Sequence, residues 1–243
     1  MTPTKNLFIA SDVRSGSTAL GEIVAYTLFK INNLHLWDIC KEHFSALDDT
    51  STPEDITAIL NTLSVDPLGS VRTSKLMVSS LSVICRYSYI PSIYDEFFGQ
   101  NTYWIVLTRR NVLRQAISLA FAEQTGLYHE YEARPDSGEH PSMQKIKDCL
   151  HSVILSNLYL EMFEHKCRNK LVLEYESFER DPGIPIRWVL ENLNLQPDIH
   201  ESEICTPKLR KTDQSSKQLL EKEFADWLLK NHHHVPNLPK GSA

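Results

Sequence analysis

The segment LFIASDVRSGST (residues 7–18) combines a short apolar run with a loop of small residues. The run LFIAS (residues 7–11) lacks polar alternation and is bounded by turn residues, which is typical of a strand buried in a parallel sheet. A helix is predicted after the loop, with Ser15 or Ser17 as its N-cap. Its apolar side is formed by Ala19, Ile23, Tyr26 and Leu28.

The rest of the chain repeats this alternation of short apolar runs and helical periodicity. Strands are predicted at 71–77, 103–108 and 171–175, and helices at 54–63, 111–126, from after 141 to about 167, 182–193 and 216–230. Residues 128–141 contain two prolines, a glycine and many charges, which predicts an exposed loop. The pattern indicates an α/β protein, a P-loop-like three-layer sandwich with a central parallel sheet and helices on both faces. We expect one domain over residues 1–243.

Composition narrows the class of protein. The net charge of -6 argues against a large nucleic-acid surface, so an anionic ligand must be bound by a local group of cations. The apolar runs are far shorter than the roughly 20 residues of a membrane span, and the N-terminus does not resemble a secretory signal. We therefore expect a cytoplasmic protein.

The histidines at 232–234 are interpreted as surface residues rather than a metal site. Five widely spaced cysteines without a CxxC pair indicate free thiols: Cys40, Cys85, Cys149, Cys167 and Cys205.

The loop SDVRSGST (residues 11–18) has the properties of an anion-binding loop. Small residues allow the backbone to approach an anion, and the helix start adds unpaired N–H groups and the positive end of the helix dipole. Ser17 and Thr18 add hydroxyl donors, and Arg14 adds a fixed charge. The alternative is a plain turn between a strand and a helix. A nucleotide kinase is disfavoured, because Val13 stands near the first glycine of GxxxxGK[ST] and no lysine follows Gly16.

A second cluster of cations lies in TRRNVLRQAIS (residues 108–118), at the carboxyl end of a predicted strand, where ligands bind in open parallel sheets. Arg109, Arg110 and Arg114 are concentrated here in an acidic chain, and guanidinium groups pair well with phosphate oxygens. The alternative is a solvated helix start whose arginines pair with surface carboxylates.

Three motifs in this order, RSGST, RRNVLRQAIS and LVLEYESFERDP (residues 171–182), resemble the sulfotransferase superfamily that uses 3'-phosphoadenosine 5'-phosphosulfate (PAPS). The similarity is greatest to its bacterial branch, which includes trehalose 2-sulfotransferase and shares a continuation like QAISLAFAEQTGLY (residues 115–128). The resemblance implies that Arg110 and Ser118, eight positions apart, bind the 3'-phosphate. It assigns the 5'-phosphosulfate to the first loop: Arg14, Ser15, Gly16, Ser17 and Thr18.

The resemblance also suggests residues for the adenine and for catalysis. Tyr175 stands where the family's tyrosine approaches the adenine, although an aromatic residue at a strand end is often part of the core. Arg210 and Lys211 lie in LRKT, which resembles a segment that closes on the cofactor. Glu42 in KEHF (residues 41–44) matches the family's proposed general base in part. Four further candidates remain open: His43, His35 and His129 as alternative bases, and Lys75 as a residue of the cleft or a sheet end.

We therefore expect a sulfotransferase that transfers a sulfuryl group to the hydroxyl of a small, carbohydrate-like or glycolipid-like acceptor and releases 3',5'-adenosine bisphosphate (PAP). Arg14 would neutralise charge on the leaving phosphate and Glu42 would take the acceptor proton. No metal and no nucleic-acid partner are expected, and a homodimer is left open. The alternatives are a nucleotide-dependent kinase and a degenerate nucleotide-binding module without catalysis.

Overall fold

The computed structural model describes residues 4–65, 71–128, 140–195, 204 and 214–231. These residues belong to two compact units. The first unit is drawn from Met1–Arg110 and Val153–Leu209, and the second from Asn111–Ser152 and Arg210–Ala243. Among the helices described, none is both long and apolar enough to cross a membrane.

A four-stranded parallel sheet forms the centre of the first unit. Its strands are β1 (Lys5–Ser11), β2 (Val71–Met77), β3 (Thr102–Thr108) and β4 (Asn169–Glu174). Their order across the sheet is β2-β1-β3-β4, and each neighbouring pair is parallel. The carboxyl ends of the strands therefore meet at one edge, which is where ligands bind in sheets of this kind.

Helices connect the strands and extend beyond them. They are α1 (Ser17–Asn32), α2 (Pro53–Thr62), α3 (Val78–Arg86), α4 (Pro91–Phe98), α5 (Val112–Thr125), α6 (Met143–Glu164), α7 (Tyr175–Arg180), α8 (Gly183–Leu193) and α9 (Gln214–Asn231). A short 3-10 helix, Trp37–Cys40, follows α1. The second unit contains α5, α9 and the part of α6 before residue 153.

The central strand β1 is buried on both faces because its successive side chains point in opposite directions. Leu7 and Ile9 pack in one core, together with apolar residues of α1 and α8. Phe8 and Ala10 pack in the other core, with residues of α2, α3, α4 and the end of α6. Helices thus cover both faces of the sheet, and the predicted α/β three-layer sandwich is confirmed.

The start and end of α5 also agree with the sequence pattern. Asn111 is the N-cap, and its side chain accepts a hydrogen bond of 2.9 Å from the backbone N–H of Arg114. Gly126 ends the helix in the left-handed conformation at φ 72°. Within the second unit, an ion pair between Arg114 and Glu221, with N and O 2.8 Å apart, joins α5 to α9. For Arg114, this ion pair agrees with the alternative interpretation of the sequence, in which the arginines at the helix start pair with carboxylates.

One expectation about a helix was wrong, and some short helices were not predicted. The N-cap of α1 is Gly16, so neither Ser15 nor Ser17 caps that helix. The physical reason is the φ of 97° at this position, which glycine adopts without steric cost. The sequence pattern also failed to predict α3, α4 and α7. These helices have nine, eight and six residues, which is too short for helical periodicity to be recognised reliably.

Candidate active site

Residues 12–16 join the carboxyl end of β1 to the start of α1 in an unusual backbone conformation. Arg14 and Gly16 both have positive φ angles, 57° and 97°. Such a conformation at a non-glycine residue like Arg14 is unfavourable and persists only where its surroundings fix it. Because Gly16 has no side chain, no side-chain cap occupies the first N–H groups of α1, and uncapped N–H groups at a helix start are suited to anions. We call residues 12–16 the anion loop.

Ser15 is the most deeply buried residue of the anion loop. Only 1% of this residue is exposed. The hydroxyl oxygen has no hydrogen-bond partner among the residues that the structure describes. A buried hydroxyl left in this state costs about 1 to 3 kcal/mol, so it favours a bound group that completes its hydrogen bonding.

The backbone of Gly16 lies against the ring of Tyr175, the first residue of α7. A Cβ added to Gly16 would lie 2.3 Å from Cδ2 of that ring, far inside van der Waals contact. Tyr175 in turn lies under Arg109, whose guanidinium carbon is 4.9 Å from the ring centroid. The Tyr175 side chain thus contacts the anion loop, and its predicted role at the adenine stays a prediction.

Lys75 connects the proposed base to the start of α1. Its Nζ lies 2.9 Å from Oε1 of Glu42 and donates a hydrogen bond of 3.3 Å to Oγ1 of Thr18. The lysine side chain is 4% exposed, whereas that of Glu42 is 37% exposed. A buried ammonium group requires such partners, because removing an unpaired charge from water is costly. These contacts favour the interpretation of Lys75 as a residue of the cleft over that of a residue at a sheet end, and this role stays a prediction.

The histidines considered as alternative bases lie in environments different from that of Glu42. Nε2 of His43 is 3.7 Å from Oδ1 of Asp38. Burial acts to raise the pKa of Asp38, but hydrogen bonding and charge from Lys41, with the charge of His43, lower it overall. His35 packs edge-on against Phe29, with ring centroids 5.0 Å apart. His129 lies outside the described residues.

Arg110 already has carboxylate partners. Its guanidinium forms an ion pair with Glu174 at the end of β4, and its backbone N–H donates to Oε2 of Glu176 at 2.9 Å. The Arg110 and Glu174 side chains are 64% and 41% exposed, so this ion pair contributes little to stability. Ser118 is a buried residue of α5, in the second unit. Arg210 and Lys211 lie outside the described residues.

Asp12 is a carboxylate that the sequence analysis did not consider. It opens the anion loop and is 7% exposed. Burial raises the pKa of its carboxyl to about 6, although hydrogen bonds with the Val13 backbone and the Ser156 side chain act in the opposite direction. The signal in the sequence was a charged residue directly after the short run LFIAS (residues 7–11). An ionised Asp12 would repel an anion in the loop, whereas a protonated one would not.

Comparison with known proteins gives a family for more than half of the chain. Residues 88–225 match the model of the Stf0 sulphotransferase family. That range contains the second and third motifs but not the anion loop, so the loop rests on its own geometry. A search of curated proteins found no match.

Three solved structures are similar to the chain. A sulfotransferase from Alicyclobacillus acidocaldarius is 11% identical, with 94% of each chain covered and a TM-score of 0.46. A retinol dehydratase in complex with androsterone and inactive cofactor PAP is 14% identical, with 97% of this chain and 84% of that chain covered and a TM-score of 0.49. The sulfotransferase domain from the curacin biosynthetic pathway is 16% identical, with 98% and 94% covered and a TM-score of 0.41.

The contact between Gly16 and Tyr175 predicts the effect of a small substitution. Gly16→Ala should lower the free energy of unfolding by about 2 to 5 kcal/mol, because an unfavourable φ is added to a clash with the ring. Gly126→Ala is the matched control, since Gly126 also has a positive φ but a Cβ there would meet no atom within 4 Å. It should cost only about 1 to 2 kcal/mol. Urea unfolding followed by circular dichroism measures both, and equal losses would contradict the proposed contact.

Burial of Asp12 predicts that Asp12→Asn raises the free energy of unfolding by an amount that depends on pH. The folded state binds the Asp12 proton more tightly than an unfolded chain with a pKa near 3.9, so the ionised carboxylate destabilises the fold. The variant should therefore be more stable than the wild type by about 1 to 3 kcal/mol at pH 8, and the gain should shrink as the pH falls from 6 to 4. Urea unfolding across this range provides the measurement. The exposed Asp226→Asn is the control, and a pH-independent difference for Asp12→Asn would refute the argument.

Proposed function

The chain belongs to the Stf0 sulphotransferase family, and we propose that this sulfotransferase uses PAPS to sulfate the hydroxyl of a small acceptor. The observation that carries the proposal is an anion loop beside an ion-paired carboxylate. Lys75 joins this carboxylate to the first turn of α1, directly after the loop: its Nζ lies 2.9 Å from Oε1 of Glu42 and 3.3 Å from Oγ1 of Thr18. A carbohydrate-like or glycolipid-like acceptor is the class that we favour, from the resemblance to the trehalose-sulfating branch.

The anion loop has the chemistry needed for the 5'-phosphosulfate. The uncapped start of α1 offers N–H groups and the positive end of the helix dipole, and Ser15 brings a buried hydroxyl that needs a partner. Arg14 and Lys75 add positive charge from the loop and from β2. Ser17 and Thr18 complete the proposed set. We propose no metal in this step, since these groups supply the charge that an anion requires.

The 3'-phosphate is proposed to bind Arg110 and Ser118. Arg110 is paired with Glu174 across an exposed surface, and such pairs contribute about 0 to 1 kcal/mol. Charge-assisted hydrogen bonds from a guanidinium to phosphate are worth about 1.5 to 3 kcal/mol. A phosphate can therefore replace Glu174 as the partner of Arg110. Tyr175, Arg210 and Lys211 remain proposed cofactor contacts.

Glu42 is proposed to act as the general base. When bound, PAPS supplies the sulfuryl group and a phosphate leaving group. Glu42 accepts the proton from the acceptor hydroxyl, and its partly exposed carboxylate can be reached from solvent. Lys75 holds one carboxylate oxygen in place, while Arg14 and the loop amides balance negative charge on the leaving phosphate.

Several finer properties of the protein stay predictions. They are the single domain over residues 1–243, the cytoplasmic location, the small-molecule acceptor and a homodimer. A screen of sugars, lipids and small alcohols with sulfur-labelled PAPS would identify the acceptor.

The proposed donor site predicts that PAP stabilises the fold without magnesium and more strongly than ATP does. A ligand at about 100 times its dissociation constant adds roughly 2.7 kcal/mol, which raises the melting temperature of a protein of this size by several degrees. Differential scanning fluorimetry with PAP, ATP and ATP plus magnesium makes the comparison. A shift with magnesium and ATP, combined with none for PAP, would indicate a kinase instead.

The proposed base predicts a selective loss of turnover in Glu42→Gln. Glutamine keeps the size of the side chain but cannot accept the proton, so kcat should fall by roughly 10² to 10⁴ while PAP affinity changes little. The assay follows sulfur transfer to the best acceptor of the screen at saturating PAPS. Glu54→Gln, an exposed change on α2, is the matched control. An active Glu42→Gln enzyme beside an inactive His43→Gln enzyme would assign the base to His43.

A further inference from the structure

Arg109 contacts the anion loop from a neighbouring strand. It follows β3 directly, and its Nη1 donates a hydrogen bond of 3.0 Å to the backbone oxygen of Arg14. Arg14 is the non-glycine residue held at φ 57°. A hydrogen bond to the carbonyl of this residue favours the conformation that the loop has here over the more common ones.

Tyr175 contacts the same loop from the end of β4. It follows β4 directly, and its ring lies against the backbone of Gly16, the other residue with a positive φ. The Arg109 guanidinium lies over this ring, with 4.9 Å between its carbon and the ring centroid, which is the geometry of a cation–π interaction. Arg109 and Tyr175 therefore support each other as well as the loop.

The topology of the sheet explains why these residues meet. β3 lies between β1 and β4, and the pairing matches Ser11 with Leu107 and Thr108 with Glu174. The residues that follow the three strands are thereby brought to the same edge. Arg109 and Tyr175 thus extend from the ends of β3 and β4, whereas the loop that they contact has an unfavourable backbone conformation.

We propose that Arg109 and Tyr175 are positioning residues that hold the anion loop in its binding conformation and so determine affinity for the 5'-phosphate group of the donor. The inference rests on the proposed function and extends it. A loop that must be ordered at each binding event binds more weakly than one held ready. Loss of either residue should therefore weaken interactions with the 5'-phosphate and leave those with the 3'-phosphate, assigned to Arg110, largely intact.

Two ligands that differ by one phosphate separate this effect from a general loss of structure. PAP carries both phosphates, whereas adenosine 3'-monophosphate lacks the one that the loop would bind. The ratio of their association constants, measured by isothermal titration calorimetry without magnesium, reports the contribution of the 5'-phosphate. In Arg109→Met and Tyr175→Leu this ratio should fall at least about tenfold. In Arg109→Met, which keeps the tyrosine proposed to contact the adenine, affinity for the monophosphate should change less than about threefold.

Conservative and control variants complete the experiment. Tyr175→Phe keeps the ring and should restore most of the ratio, and Arg109→Lys should give an intermediate value. Arg86→Met is the matched control, because Arg86 also lies over a tyrosine ring, that of Tyr87 at 5.9 Å, but donates its hydrogen bonds to Asp49. If Arg109→Met does not fold, Arg109→Lys and Tyr175→Leu still provide the comparison.

The outcomes distinguish this inference from the proposed function. If the wild type binds PAP and the ratio is unchanged in the Arg109 and Tyr175 variants, the positioning role is refuted and the function stands. Equal losses for both ligands would also refute it, since they would indicate a general structural defect. If the wild type binds neither ligand, the proposed donor itself is wrong.

Discussion

The burial of β1 on both faces is the constraint on which the rest of the structure depends. The middle of a strand with no solvent face must be apolar, as Leu7–Ala10 are in β1, and helices must cover the sheet on both sides. Leu7 and Phe8, adjacent in sequence, therefore lie in separate cores. The same strand delivers the anion loop to the sheet edge at which β2, β3 and β4 also end. The hydrophobic core and the location of the site are consequences of one arrangement.

Charge at this edge is balanced over short distances. Lys75 is buried and needs both Glu42 and Thr18 as partners, while Arg110 is exposed and pairs with Glu174. In an acidic protein, such local placement allows an anion to be bound without a basic surface. Burial of a carboxyl in the loop itself, at Asp12, opposes anion binding unless that group is protonated, and its raised pKa of about 6 makes protonation accessible.

Neighbouring arginines acquire different roles from their environments. Arg109 is directed to the loop backbone and an aromatic ring, whereas Arg110 is directed to carboxylates. An arginine that contacts a carbonyl and a ring contributes to the shape of a binding loop. An arginine in an exposed ion pair can exchange its partner for a phosphate, because little free energy is lost when the pair separates.

The sequence by itself determined the α/β class, the parallel sheet, the start and end of α5, and the family, because apolar periodicity and short motifs are local signals. It could not determine the contact of Glu42 with Lys75, which are separated along the chain, or the cap of α1, which depends on the backbone angle at Gly16. It also assigned no separate role to Arg109, whose contacts with the Arg14 carbonyl and the Tyr175 ring join residues far apart in the sequence. Those features were decided by the tertiary structure, because strand order and register determine which side chains meet at the sheet edge.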